Sequence, residues 1–123
     1  MELKIIKEKI AKEELKNILE EGFGALVKVD VDIKKEILAI GGEFHAEGQE
    51  LLVEEAGANG QDVWGINFYP FNEPEKRIEY ESLINIKPAL GARNMLIQDK
   101  GIRQTVKAII NKLLLKDDET LAS

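Results

Sequence analysis

Leu26–Ile40 reads LVKVDVDIKKEILAI, and how it folds decides the rest of the chain. Val27, Val29, Val31 and Ile33 alternate with Lys28, Asp30 and Asp32. A period of two carried by β-branched residues predicts a strand with one face on a core and one face wet. Lys34-Lys35 is then the turn into a second strand, Glu36 to Ile40, although it lacks the Asn-Gly or Asp-Gly chemistry of a tight hairpin. Ile33, Ile37 and Ile40 also fit helical spacing, so a helix over residues 30–40 stays open beside the hairpin.

Toward the N-terminus, Leu3–Ile6 is a short candidate strand. Lys12–Glu21 predicts a helix with Leu15, Ile18 and Leu19 on one side, ended by Gly22 in the left-handed position that tolerates no Cβ. Toward the C-terminus, Gly41-Gly42 breaks the strand. Leu51–Glu55 and Val63–Tyr69 are two further apolar stretches, and Asn59-Gly60 between them is the strongest turn signal in the chain. Arg77–Lys87 alternates again, with Ile78, Tyr80, Ile84 and Ile86 inward and Leu83 out of place on the outer side. Pro88–Gln98 is a long irregular connection. Asp99 then caps a helix whose Ile102, Val106, Ile109, Ile110 and Leu113 form one stripe. The fold class expected is α+β: an antiparallel meander sheet of about five strands, with the N- and C-terminal helices packed on one face. Residues 1–116 read as a single globular domain and 117–123 as a frayed acidic tail.

The 123 residues carry a net charge of −6, which argues against nucleic acid or an anionic membrane as a partner. Apolar residues make up 44%, enough for a globular core. Cysteine is absent, so thiolate chemistry and cysteine-ligated metal sites are excluded. The apolar runs are too short to span a bilayer. Met1–Ile10, studded with lysine and glutamate, lacks the centre of a signal peptide, so the expected location is cytoplasmic.

Gly41-Gly42-Glu43-Phe44-His45-Ala46, Trp64-Gly65-Ile66-Asn67 and Ser82-Leu83-Ile84-Asn85-Ile86 before Lys87-Pro88 resemble an uncharacterised prokaryotic family, a domain of unknown function. The similarity runs from the first helix to the last. Where the family pattern carries aspartate two residues after the histidine, this chain has Glu47. Where the pattern has Asp-Gly-Ser, it has Ala56-Gly57-Ala58, and where Gly-Asn-Arg follows the proline, it has Gly91-Ala92-Arg93-Asn94. The resemblance implies one domain and brings no activity, cofactor or site with it.

Two constellations are candidates for chemistry. Glu43, His45 and Glu47, at spacing two, would leave one face of an extended segment and converge on a divalent cation; a helix starting there destroys the convergence. The plainer account is a histidine hydrogen-bonded at a bend with both glutamates in water. Asn67, Asn85, Lys87 and Arg93, with His45, form the second set, suited to a small carboxylate or phosphate. The plainer account there is amides bonded to nearby backbone.

Other features carry less. Gly41-Gly42 lacks the later glycine, the lysine and the helix start of a phosphate loop. Asp30 and Asp32 read as solvated acids on the wet face, and Ser82 and Ser123 offer no triad with His45. No cofactor motif is present. The favoured expectation is a soluble non-catalytic binding or assembly module, with edge strands and Leu83 available for self-association. The alternative is a small metal-dependent hydrolase-like enzyme built on Glu43, His45 and Glu47.

Overall fold

The computed structural model describes residues 2–121. The alternating stretch is a hairpin: β2 (Val27–Asp32) and β3 (Ile37–Gly41) pair antiparallel, Val31 opposite Leu38. Asp32 supplies the turn chemistry that the lysines lack. Its Oδ1 accepts the N–H groups of Lys34 at 2.9 Å and Lys35 at 3.0 Å, and Glu36 adopts a left-handed φ of 57°. The helical alternative for residues 30–40 is thereby overturned.

β1 (Leu3–Ile6) pairs with the other side of β3, β4 (Val63–Phe68) with the other side of β2, and β5 (Ile78–Glu79) with β4. All pairings are antiparallel and the order is β1-β3-β2-β4-β5. The fold is α+β with the expected five-stranded antiparallel sheet, but not a strict meander. α1 (Lys12–Glu21) carries the chain from β1 past a position that β3 fills later.

One face of the sheet presents Val27, Val29, Val31, Leu38, Ile40, Trp64, Ile66 and Phe68. Against it pack Leu15, Ile18 and Leu19 of α1 and Val106, Ile109, Ile110 and Leu113 of α3 (Lys100–Leu113). The two terminal helices thus share a face as expected, and each large aliphatic chain sealed there contributes about 1.5–3 kcal/mol. Asp99 caps α3, its Oδ1 accepting from Ile102 N–H at 3.0 Å. Gly22 is a correction: it has φ −109°, and Gly24 at φ 88° takes the left-handed role.

The other face differs more from expectation. Leu51–Glu55 is not extended; it lies within a 12-residue helix, α2 (His45–Ala56), ended by left-handed Gly57 at φ 68°. Asn59 caps a 3₁₀ turn, Gly60–Asp62, instead of closing a hairpin. The inward positions of α2 are His45, Gly48 and Leu52, which have helical spacing but only one large apolar member. A stripe of that composition is invisible to hydrophobic periodicity. α2 covers the face expected to be wet, and Leu52, Ala39, Ala58 and Val63 make a second, smaller core there. Asp30 and Asp32 are therefore fully buried, not solvated.

The alternation of Arg77–Lys87 also fails beyond Glu81, which makes a single bridge to Leu96. Ser82 Oγ accepts from Ile84 N–H at 3.3 Å and starts a 3₁₀ turn, Leu83–Asn85, which turns Asn85 and Lys87 inward and Ile86 outward. Nor is the described part of the 117–123 tail frayed. Buried Arg77 donates to the carbonyls of Asn72 (3.0 Å), Lys116 (3.0 Å) and Glu119 (2.7 Å), and Leu121 is buried in the main core. Arg77→Met should cost about 2 kcal/mol in urea denaturation, because three carbonyls lose a charged donor. A melt unchanged by this substitution would mean that the anchoring contributes nothing.

Candidate functional site

On the α2 side the sheet offers a row in register: Lys28 of β2, Asn67 of β4 and Glu79 of β5. Asp30, two residues along β2, stands opposite Gly65. His45, the first residue of α2, lowers its ring into this row. Its Nδ1 lies 2.6 Å from Asp30 Oδ1 and its Nε2 lies 3.1 Å from Asn67 Oδ1. Asn67 Nδ2 donates in turn to Glu79 Oε1 at 2.7 Å. A continuous chain of hydrogen bonds thus links a buried carboxyl to an exposed one.

Two glycines make the geometry possible. A Cβ at Gly65 would lie 2.7 Å from Ser82 Oγ and 3.0 Å from His45 Nδ1. A Cβ at Gly48 would lie 1.9 Å from Asp30 Oδ2. Isolated glycines inside a strand and a helix mark close approach, and here they admit the imidazole and the carboxyl.

The polarity of the chain constrains its protons. While Asn67 gives its N–H to Glu79, its oxygen faces His45, so Nε2 must carry a hydrogen. One further proton then lies between Nδ1 and Asp30 Oδ1, since two bare acceptors cannot sit 2.6 Å apart. Burial raises the Asp30 carboxyl from 3.8 to about 6, against the opposing hydrogen bond and charge of His45 and the charge of Lys28. Asp30 Oδ2 has no hydrogen-bond partner, which also favours the neutral acid. Both ring nitrogens of the chain's one histidine are therefore occupied by protein groups.

Above His45 is a cavity of about 440 Å³, bounded by Lys28, Asn67, Ser82 and an apolar rim of Phe44, Leu83 and Met95. Phe44 and Leu83 are 65% and 72% exposed, while His45 at the floor is 9% exposed. Glu81 completes the polar part of the wall.

A family model described as "Protein of unknown function (DUF5674)" matches residues 4–113. The chain belongs to the DUF5674 family. No curated protein and no solved structure matches it. The expected resemblance to a domain of unknown function is thus met over nearly the whole chain, and this DUF5674 member has no activity attached to it by likeness. No helix among its described residues is long and apolar enough to cross a membrane.

Of the residues singled out in sequence, the DUF5674 fold brings His45 and Asn67 together. Asn85 lies behind them, fully buried, and bonds backbone: Oδ1 accepts from Gly65 N–H at 2.7 Å, and Nδ2 donates to the carbonyls of Gly65 at 2.9 Å and Met95 at 3.0 Å. Lys87 is held at the end of β4, its ammonium donating to the carbonyls of Gly60 and Ile84 at 3.0 Å and lying 5.0 Å from the Trp64 ring centre. Burial lowers its pKa, opposed by Asp62. Arg93 opens onto a different cleft. The five do not line one cavity.

Glu43, His45 and Glu47 do not converge either, because α2 starts at His45 and the extended spacing is lost. Glu47 Oε1 instead accepts the N–H groups of Glu43 at 3.1 Å and Phe44 at 2.9 Å, capping the helix. Among the described residues no three histidine or acidic side chains are placed to hold a metal ion. Sequence reasoning missed Asp30, Glu79, Gly48 and Ser82 as parts of this site. The glycine of Gly48, inside an otherwise good helix former, was the one available signal.

Proposed function

We propose that the protein is a non-catalytic binding module that receives an apolar group in the cavity above His45. The observation that carries the reading is the pairing of an open apolar rim with an imidazole floor whose two nitrogens are already engaged by the protein. Phe44 and Leu83 spend large apolar surface on solvent at one mouth. Beneath them the imidazole has both nitrogens engaged, so the ring itself offers a ligand no free base. Concave, largely apolar walls with a few placed polar groups are the usual form of a small-ligand site.

The test uses 8-anilinonaphthalene-1-sulfonate, whose emission rises in apolar pockets. It should bind the native protein saturably at one site. The double variant Phe44→Asp/Leu83→Asp should weaken it tenfold or more with an unchanged circular-dichroism melt, since both side chains are exposed. Undiminished binding by that variant, or none by the native protein, would remove the basis of the proposal.

A further inference from the structure

Arg93 and Trp64 meet at a second cleft, separate from the cavity over His45. It has a volume of about 200 Å³ and lies between the Pro88–Gln98 connection and the start of α3. Leu90 and Leu96, both exposed, and Ile102 give it apolar walls. The Trp64 indole forms part of the wall from the sheet side. Trp64 is 3% exposed and its Nε1 is sealed from solvent, so the indole lends the cleft apolar wall and no donor. Arg93 is exposed and makes no ion pair or hydrogen bond among the described residues, unlike buried Arg77. One guanidinium without an acceptor therefore borders an apolar cleft.

We infer that this cleft binds a small monocarboxylate with a flat apolar body. The guanidinium takes the carboxylate in its two-pronged geometry and the leucines cover the body. Asp99 sets the charge limit. It lies in the wall with its Oδ1 engaged in capping α3, so it repels a dianion more than a monoanion. Inorganic phosphate is thereby disfavoured where a carboxylate is accepted.

Trp64 is the chain's only tryptophan, so its emission reports this cleft. The full chain is titrated with benzoate, with benzamide as the neutral counterpart and inorganic phosphate as the dianion. Benzoate should change the emission saturably below about 10 mM, the range open to so small a ligand. Benzamide and phosphate should bind at least tenfold more weakly, and Arg93→Gln should weaken benzoate by a similar factor without altering the melt. Phe44→Asp/Leu83→Asp, on the other cavity, should leave the titration unchanged, so the two sites fail separately. Equal responses to benzoate and benzamide, indifference to Arg93→Gln, or no saturable response to benzoate would each overturn the inference.

Discussion

Alanine at position 48 is expected to destabilise the protein by about 3 kcal/mol, although alanine is ordinarily the better helix residue. In the interior of α2 the exchange should gain about 1 kcal/mol in helix propensity. Against that, the new methyl would sit 1.9 Å from Asp30 Oδ2 and 2.9 Å from its Cγ. A flexible side chain would move aside, but this carboxyl is fully buried on a central strand and tied to His45 at 2.6 Å. Relief means lifting α2 or breaking the buried hydrogen bond, and each of the two groups left unpaired costs about 1–3 kcal/mol. The clash therefore wins. Urea denaturation of Gly48→Ala, Asp30→Ser and the double variant checks the cause. With the carboxyl gone, alanine should cost nothing further, so strictly additive losses would rule out this contact as the origin.

The second large effect is a difference in pH dependence between the protein and Asp30→Asn. An asparagine amide donates to Nδ1 of the same imidazole tautomer and behaves as a permanently protonated aspartate. The carboxyl itself is held at about 6 in the fold and at its ordinary 3.8 in the unfolded chain. The folded state thus binds the extra proton between those values. Stability from this group is complete below pH 4, declines as pH rises through the window, and is lost above 6. The loss amounts to roughly 3 kcal/mol. Asp30→Asn should match the native protein at pH 4 and exceed it by about that amount at pH 7. Comparing the two chains cancels groups common to both, such as Glu119, which Lys9 and the Lys116 N–H hold down at about 2. Parallel stability curves from pH 4 to 7 would show that burial does not shift this carboxyl.

The part of the fold legible in the sequence is the part built by repetition of apolar residues. Val27, Val29 and Val31 announce their strand because valine on every second residue has few other uses, and the stripe of α3 is as plain. The second layer was hidden because its inward positions hold a histidine, a glycine and one leucine. Once α2 is taken for an extended run, Asp30 necessarily reads as a solvated acid, and the partner that buries it goes unnoticed. The site was legible only at His45, the chain's one histidine, and at Asn67, whose amide interrupts an apolar strand. Asn85 and Lys87 interrupt an apolar run too, but each bonds backbone, and a sequence does not distinguish an amide that serves the fold from one that serves a ligand. The Ser82 turn adds to this, since a hydroxyl accepting one N–H ends the alternation and rotates everything after it.

Asn85 also bears on how the sheet stops. β5 pairs with β4 only at Asn67 and Phe68, which would leave the main chain at Gly65 open along the rim. The Asn85 amide takes both the N–H and the C=O there, as an additional rung would. An incoming polypeptide thus finds no bare ladder at that point, because one amide stands where a further strand would pair.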